Sequence, residues 1–215
     1  MAEEYAEVTE RIQNYQDALA TAREMGDRRE EGKWLDELGN TCADLEEYHH
    51  AVAYFQQALA IAQESGDRGN QGTLHGSLGD ACAGLGEYAR AIECYQEALA
   101  LAREMGDRYS EEIWLGHLGA YHACLGQFDR AVDYYGQQVQ ITRNTGDTWG
   151  EGNALANMGL LAKEQGDRAR ACELWTQALA VFEASEEPDA ERVRQLLASL
   201  DEGEVGVGGG CCYNG

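Results

Sequence analysis

The sequence repeats itself with a period of 40 residues, and this period restricts the fold more than any other feature of the chain. A Gly-Asp pair, a Leu-Gly pair (Met-Gly in the last copy), an alanine and an aromatic residue return in the same order. The recurring positions are Gly26-Asp27, Gly66-Asp67, Gly106-Asp107 and Gly146-Asp147; Leu38-Gly39, Leu78-Gly79, Leu118-Gly119 and Met158-Gly159; Ala51, Ala91, Ala131 and Ala171; and Phe55, Tyr95, Tyr135 and Trp175. Repetition at this scale is typical of stacked units that bury a core only together. The sequence therefore predicts an array of similar repeats.

Each repeat has the pattern of two helices joined by a tight turn. We expect first helices at about residues 30–45, 70–85, 110–125 and 150–165, and second helices at about 47–64, 87–104, 127–144 and 167–184. One proline and 26 glycines fit many short helices, because proline disrupts a helix interior whereas glycine ends a helix easily. Each Gly-Asp pair is predicted to end a second helix and to supply the N-cap of the next first helix.

Small residues predict where the helices approach each other. Gly39 and its equivalents let a first helix come close to its partner, Ala51 and its equivalents offer a flat surface, and the aromatic residue fills the space between neighbouring repeats. Gln138 replaces the alanine found at this position in the other repeats, so we expect looser packing in the third repeat. Three further glycines leave part of a first helix bare, which we interpret as room for another backbone. These are Gly76, Gly84 and Gly116.

The order Leu35, Leu38-Gly39, Ala51, Phe55 and Ala58 resembles the tetratricopeptide repeat consensus. The 40-residue spacing and the Gly-Asp-Arg connector are similar to the longer subtype found in spindle-orientation G-protein-regulator scaffolds and kinesin light chains. The resemblance covers about residues 3–185. It implies an all-α fold, a right-handed superhelical solenoid of antiparallel helix pairs with a C-terminal capping helix.

The chain divides into four parts on this reading. They are an N-terminal half-repeat helix at 1–29, four repeats at 30–185 (30–69, 70–109, 110–149 and 150–185), a capping helix at 186–200, and a flexible Gly/Cys tail at 201–215. In the half-repeat, Arg11 stands where the full repeats have alanine, which suits an uncovered face. The half-repeat is therefore either a solvated cap or an open edge through which two copies pair.

The charge balance narrows the classes of partner. The formal net charge is −23, which disfavours nucleic acid and anionic lipid because both require a basic surface. It favours a partner of basic, or mixed basic and apolar, character. No apolar run is long enough to span a membrane, and the N-terminus lacks a signal-peptide core, so the sequence predicts a cytoplasmic protein.

The resemblance implies that the first helices line an inner, concave surface. By register with the family, the candidate peptide-binding residues are Lys33, Asp36, Asn40, Asp44, Thr73, Asp80, Ile113, His117, Asn153, Asn157 and Leu160. This surface is acidic in its N-terminal half and mixed or apolar towards its end. Asn40, Asn153 and Asn157 resemble the asparagines with which the family holds a peptide backbone, since an amide both donates and accepts hydrogen bonds.

No pattern predicts catalysis, a cofactor or a structural metal. Cys42, Cys82 and His122 share one register, but packed helices lie about 8–10 Å apart, whereas zinc–ligand bonds are near 2 Å. Only the adjacent Cys211 and Cys212 are weak metal candidates. The leading hypothesis is a scaffold or adaptor that binds an extended or short helical peptide. The alternatives are a precursor or metal-binding protein whose Cys-Cys-Tyr tail is the functional part, and a self-assembling repeat module.

Overall fold

The computed structural model describes the backbone of residues 2–201 and the side chains of residues 7–200. The described residues are almost entirely helical and contain no strand, which confirms the all-α prediction. They form ten helices: α1 (Ala2–Met25), α2 (Arg28–Asp44), α3 (Tyr48–Ser65), α4 (Arg68–Gly84), α5 (Tyr88–Met105), α6 (Arg108–Cys124), α7 (Phe128–Thr145), α8 (Thr148–Glu164), α9 (Arg168–Ala184) and α10 (Ala190–Asp201). Repeats 1 to 4 are the consecutive pairs α2–α3, α4–α5, α6–α7 and α8–α9.

The helices group into two compact units, an N-terminal unit of α1–α5 and a C-terminal unit of α6–α10. In the N-terminal unit each helix packs against the next one along the chain, and the same holds in the C-terminal unit. Over the described residues, no helix combines the length and the apolar character that a bilayer crossing requires.

The Gly-Asp connectors have the predicted roles. Gly66, Gly106 and Gly146 end second helices in the left-handed conformation, where glycine avoids the steric penalty of a side chain. The following aspartates accept a hydrogen bond from the backbone N–H three residues later, for example Asp67 from Asn70 at 3.1 Å. Two turns place a glutamate in the left-handed region instead, Glu46 with φ 59° and Glu186 with φ 57°. Both lie where the equivalent turns of other repeats have glycine.

Within each repeat, the glycine of the first helix lies under the aromatic ring of the second. A Cβ atom added to Gly39 would lie 2.5 Å from the Phe55 ring, and one added to Gly119 would lie 2.7 Å from the Tyr135 ring. Both distances are shorter than van der Waals contact, so a larger residue at either position would force the ring to shift. The glycine is therefore small because of the ring of its own repeat, a contact that the repeat pattern alone did not indicate.

The bare faces proposed for Gly84 and Gly116 are occupied by side chains of this protein. A Cβ atom at Gly84 would lie 2.5 Å from the Tyr48 ring, and one at Gly116 would lie 3.1 Å from the amide nitrogen of Gln138. The interpretation of these two glycines as room for a guest backbone is therefore wrong. Gly116 instead explains Gln138, because the missing side chain accommodates the longer one in a buried position.

The two ends of the described chain are covered differently. At the N-terminus, α1 packs against α2 through Leu19 and Ala22, and the Tyr15 and Trp34 rings approach to 5.5 Å. Arg11 is exposed, as its place in the pattern predicts. At the C-terminus, α10 packs on α9 and buries Val193 completely, so it has the expected role of a cap. The predicted tail lies outside the described residues.

Candidate binding faces

The candidate residues divide between the N-terminal and the C-terminal unit. We call the face of α2 and α4 the acidic face; it carries Lys33, Asp36, Asn40, Asp44, Thr73 and Asp80. We call the face of α6 and α8 the mixed face; it carries Ile113, His117, Asn153, Asn157 and Leu160. Within each unit the two first helices are in direct contact, so each face is continuous across two repeats.

Asp36 is the least exposed carboxylate of the acidic face. It is half-buried, and its Oδ1 accepts a hydrogen bond of 3.4 Å from the side-chain amide of Asn40. Burial raises the pKa of Asp36 above its ordinary value, and the negative charge of Glu37 adds to this, while the Asn40 hydrogen bond opposes it. A carboxylate that is partly desolvated beside another carboxylate would be stabilised by an approaching cation.

Three other side chains of the acidic face, those of Asp80, Lys33 and Thr73, have partners within the protein. The Tyr95 hydroxyl donates a 2.6 Å hydrogen bond to Asp80, so this carboxylate is held by the second helix of its own repeat. Lys33 lies 3.6 Å from Glu30 and 4.5 Å from the centroid of the Trp34 ring. Thr73 donates a weak hydrogen bond of 3.4 Å to the Gly69 carbonyl. Asp44 is exposed at the end of α2.

On the mixed face, the two asparagines lie deeper than their equivalents in repeat 1. Asn153 is 6% exposed and Asn157 is 2% exposed, whereas Lys33 and Glu37 at the corresponding positions remain accessible. The Asn153 Oδ1 accepts a 2.7 Å hydrogen bond from Arg192 of the capping helix, and its Nδ2 has no partner among the described residues. The cap therefore engages the carbonyl side of this amide, and the Nδ2 atom is itself buried.

Aromatic neighbours that the sequence analysis missed surround His117. Its ring lies 5.9 Å from Trp114 and 6.4 Å from Tyr121, centroid to centroid, along one side of α6. Their spacing of three and four residues places them on one helix face, and this spacing was the signal that could have found them. Ile113 is half-buried, and Leu160 packs against the apolar core of the C-terminal unit.

The cysteines and the histidine that share one register have ordinary packing roles. Cys42 and Cys82 are buried between the helices of their own repeats. His122 donates a 2.6 Å hydrogen bond from Nδ1 to the Oε1 atom of Gln127, and its ring stacks on Tyr134 at 5.2 Å. Among the described residues, no group of three or more His, Cys, Asp or Glu side chains is suited to a metal ion. Cys211 and Cys212 lie outside the described residues.

The helix pairs and their recurring glycine–aromatic contacts define a helical repeat protein. The sequence model of the tetratricopeptide repeat matches residues 30–104 and 70–144, which together span more than half of the chain. The chain belongs to the tetratricopeptide repeat family, whose members are generally scaffolds without catalytic activity. No curated protein matches the sequence.

Solved structures support the same fold. BtubC (BKLC) from P. vanneervenii is 19% identical over 91% of this chain and 83% of that one, with a TM-score of 0.75. A putative kinesin light chain from Podosopora anserina with nearly identical TPR-like repeats is 17% identical over 85% of this chain and 90% of that one, with a TM-score of 0.72. MamA is 21% identical over 86% and 94%, with a TM-score of 0.66. At these identities the likeness concerns the fold alone.

Proposed function

We propose that the acidic face binds an extended peptide segment that carries lysine or arginine side chains. The observation that carries this proposal is the environment of Asp36, a half-buried carboxylate whose neighbours Glu37 and Asn40 supply no positive charge. A guanidinium or ammonium group placed there would form a charge-assisted hydrogen bond with a group already partly removed from water. Such bonds are about twice as strong as neutral ones.

The remaining side chains of the acidic face extend this recognition along α2 and α4. Asn40 lies one turn from Asp36 and offers an amide to a peptide backbone, while Asp44 adds a second exposed carboxylate one turn further on. Asp80 contributes a carboxylate whose orientation is held by Tyr95. The net charge of −23 would attract a basic segment over a longer range, so association is expected to slow as salt increases.

The mixed face supplies a second, less polar contact in this proposal. Ile113, His117 and Leu160 would meet apolar side chains of the partner. Asn153 and Asn157 are 6% and 2% exposed, so we assign them no contact with the partner. The cytoplasmic location stays a prediction.

A peptide selection from a random pool tests the proposal without a chosen partner. Random short peptides displayed on phage would be selected on the full chain, and we expect enrichment of lysine and arginine. Affinity for a selected peptide would then be compared between Asp36→Asn/Asp44→Asn and the control Glu24→Gln/Glu93→Gln. Both variants lose two negative charges, but the control residues lie exposed on α1 and α5.

We expect the Asp36→Asn/Asp44→Asn variant to bind about tenfold more weakly and with a flatter salt dependence, because a charge-assisted hydrogen bond is lost. The control should change affinity only through the small long-range term. Selection of peptides without basic residues, or equal loss in both variants, would contradict the proposal.

Two alternative functions are self-assembly through the N-terminal half-repeat and a role for the Cys-Cys-Tyr tail. The exposed side of α1 is polar, with Arg11, Gln13, Gln16 and Asp17, which favours a solvated cap over a dimer edge. Pairing of two copies through the half-repeat therefore stays a weaker prediction. The Cys-Cys-Tyr tail lies outside the described residues, and its proposed modification or metal binding stays a prediction.

A further inference from the structure

We propose that Cys82 and Cys94 form a reversible disulfide through exchange with a low-molecular-mass disulfide such as oxidised glutathione. Cys82 lies near the end of α4 and Cys94 lies in the second turn of α5, and these two helices form repeat 2. Both are free cysteines, and their side chains lie close enough across the helix pair for each thiol to shift the pKa of the other. The proposal does not depend on the function proposed for the acidic face.

The positions of Cys82 and Cys94 are also close to each other in other repeats, so their proximity does not depend on one side-chain rotamer. The equivalents of Cys82 and Cys94 in repeat 3 are His122 and Tyr134, whose rings stack with centroids 5.2 Å apart. In repeat 1 the equivalents are Cys42 and Tyr54, which belong to one apolar cluster. Repeat 2 alone has a cysteine at both places, so the same helix–helix contact becomes a dithiol.

The two thiols differ in access, and this sets the order of attack. Cys82 is 1% exposed, whereas Cys94 is half-buried and can meet a small reagent. The Cys94 thiolate would attack one sulfur of the glutathione disulfide, forming a mixed disulfide and releasing one glutathione thiolate. The Cys82 thiolate would then attack the Cys94 Sγ and displace the second glutathione thiolate. Two protein thiols are oxidised, one small disulfide is reduced, and the protons from both cysteines pass to the two released thiolates.

The surroundings make this exchange slow at neutral pH. Burial, followed by the neighbouring Cys82, raises the pKa of Cys94 to about 11, and Glu93 acts in the same direction. Arg90 opposes the shift at both cysteines, while Glu87 raises the pKa of Cys82. Because only the thiolate reacts, the rate should rise about tenfold for each pH unit from about pH 7 to about pH 9.

The link would also have a structural consequence for repeat 2. Asp80 and Tyr95 are joined by a hydrogen bond between the same two helices, two residues before Cys82 and one residue after Cys94. A covalent bond beside this contact would hold α4 and α5 together at the position where Asp80 reaches the acidic face.

Peptide mapping tests the proposal directly on the wild-type chain. Trypsin cleaves after Arg68, Arg90 and Arg103, so Cys82 and Cys94 fall in separate fragments, 69–90 and 91–103, each with a single cysteine. The folded, reduced protein would be treated with oxidised glutathione, its remaining thiols alkylated, and the digest measured by mass spectrometry. We expect fragments 69–90 and 91–103 to be linked, and dithiothreitol to separate them.

Two variants provide matched controls. In Cys94→Ser, fragment 69–90 should be recovered alkylated at Cys82, because the buried thiol has no partner for exchange. Tyr54→Cys should create the same pair in repeat 1, with Cys42, and lower the mass of the oxidised fragment 34–68 by about 2 Da when two hydrogens are lost. A stable glutathione adduct on Cys94 with an alkylated Cys82, or the absence of linked fragments in folded wild-type protein, would overturn the proposal.

Discussion

Repeats 1 and 3 use one helix-pair template with different interiors. At four equivalent buried or partly buried positions, repeat 1 has Gly32, Cys42, Ala58 and Ala62, all small and apolar. Repeat 3 has polar residues of larger size at the same places. These are Glu112, His122, Gln138 and Thr142, and all of them are buried.

The polar side chains inside repeat 3 each have a neighbour that accommodates them, although the buried Nε2 atom of His122 has no partner among the described residues. Thr142 donates a 3.0 Å hydrogen bond to the Val139 carbonyl, His122 is bound by Gln127, and Gln138 fills the space over Gly116. These pairings matter because a buried polar group that is left without a hydrogen bond destabilises the fold.

Glu112 is the extreme case in this comparison. Its carboxyl lies against Gly150, whose missing side chain leaves the required space, and it shares a hydrogen bond with the N-cap Asp147. Burial first, and Asp147 second, raise the pKa of Glu112 to about 8. In repeat 1 the buried Glu31 has the opposite shift, because Arg23 and Arg28 lower its pKa. The two repeats therefore hold buried carboxyl groups whose pKa values are shifted in opposite directions.

The largest expected effect concerns the feature that both repeats share. Gly39→Ala and Gly119→Ala should each lower the free energy of unfolding by about 2–3 kcal/mol, since the new methyl group overlaps the Phe55 or Tyr135 ring. Urea unfolding followed by helical circular dichroism would measure this. The control is Gly136→Ala in α7, where no atom lies within 4 Å of the added Cβ, and it should gain up to about 1 kcal/mol. Similar losses in all three variants would show that the rings are not the cause.

The second effect is a difference between repeats 1 and 3 in how the free energy of unfolding depends on pH. A raised pKa means that Glu112 stabilises the fold fully below its ordinary pKa of 4.5 and loses this contribution as the pH rises through about 8. Glu112→Gln keeps a hydrogen-bond donor for Asp147 without titrating. The wild-type chain should therefore lose stability relative to Glu112→Gln by on the order of 2 kcal/mol between about pH 6 and about pH 9.

Glu31→Gln is the matched control for this measurement. The pKa of Glu31 is lowered, so its contribution is present above its ordinary pKa and is lost only on acidification. Thermal unfolding at several pH values should show no added slope for this variant at alkaline pH. Parallel pH profiles for wild type and Glu112→Gln would disprove the carboxyl pairing.

The smallest effect compares the turns between the paired helices. Glu46 has φ 59° in repeat 1, whereas Gly86 has φ 75° at the same turn in repeat 2. Glu46→Gly should raise the free energy of unfolding by about 1 kcal/mol, because glycine adopts this conformation without a steric penalty. Gly86→Ala should lower it by a similar amount. Chemical denaturation of both variants would measure these changes. A loss of stability in Glu46→Gly would contradict the prediction, because it would mean that a contact of the Glu46 side chain outweighs the strain of its backbone.

The sequence by itself determined the repeat, its helix ends and the family. These features depend on local chemistry that recurs every 40 residues, such as an aspartate before a helix or a glycine after one. A helix end predicted in one repeat is therefore supported by the same residues in the other repeats. Register also indicated which residues share a first-helix face. That information was sufficient to locate the candidate binding residues along α2, α4, α6 and α8.

Only the tertiary structure decided what those residues meet. Arg192 reaches Asn153 from 39 positions away, the Tyr95 hydroxyl holds Asp80, and Tyr48 fills the face of Gly84. Each contact depends on the direction and length of a side chain on a neighbouring helix. The repeat pattern does not contain this information, because it describes only what the repeats have in common. For the same reason the pairings of Glu112 with Asp147 and of Cys82 with Cys94 became visible only when the helices were packed.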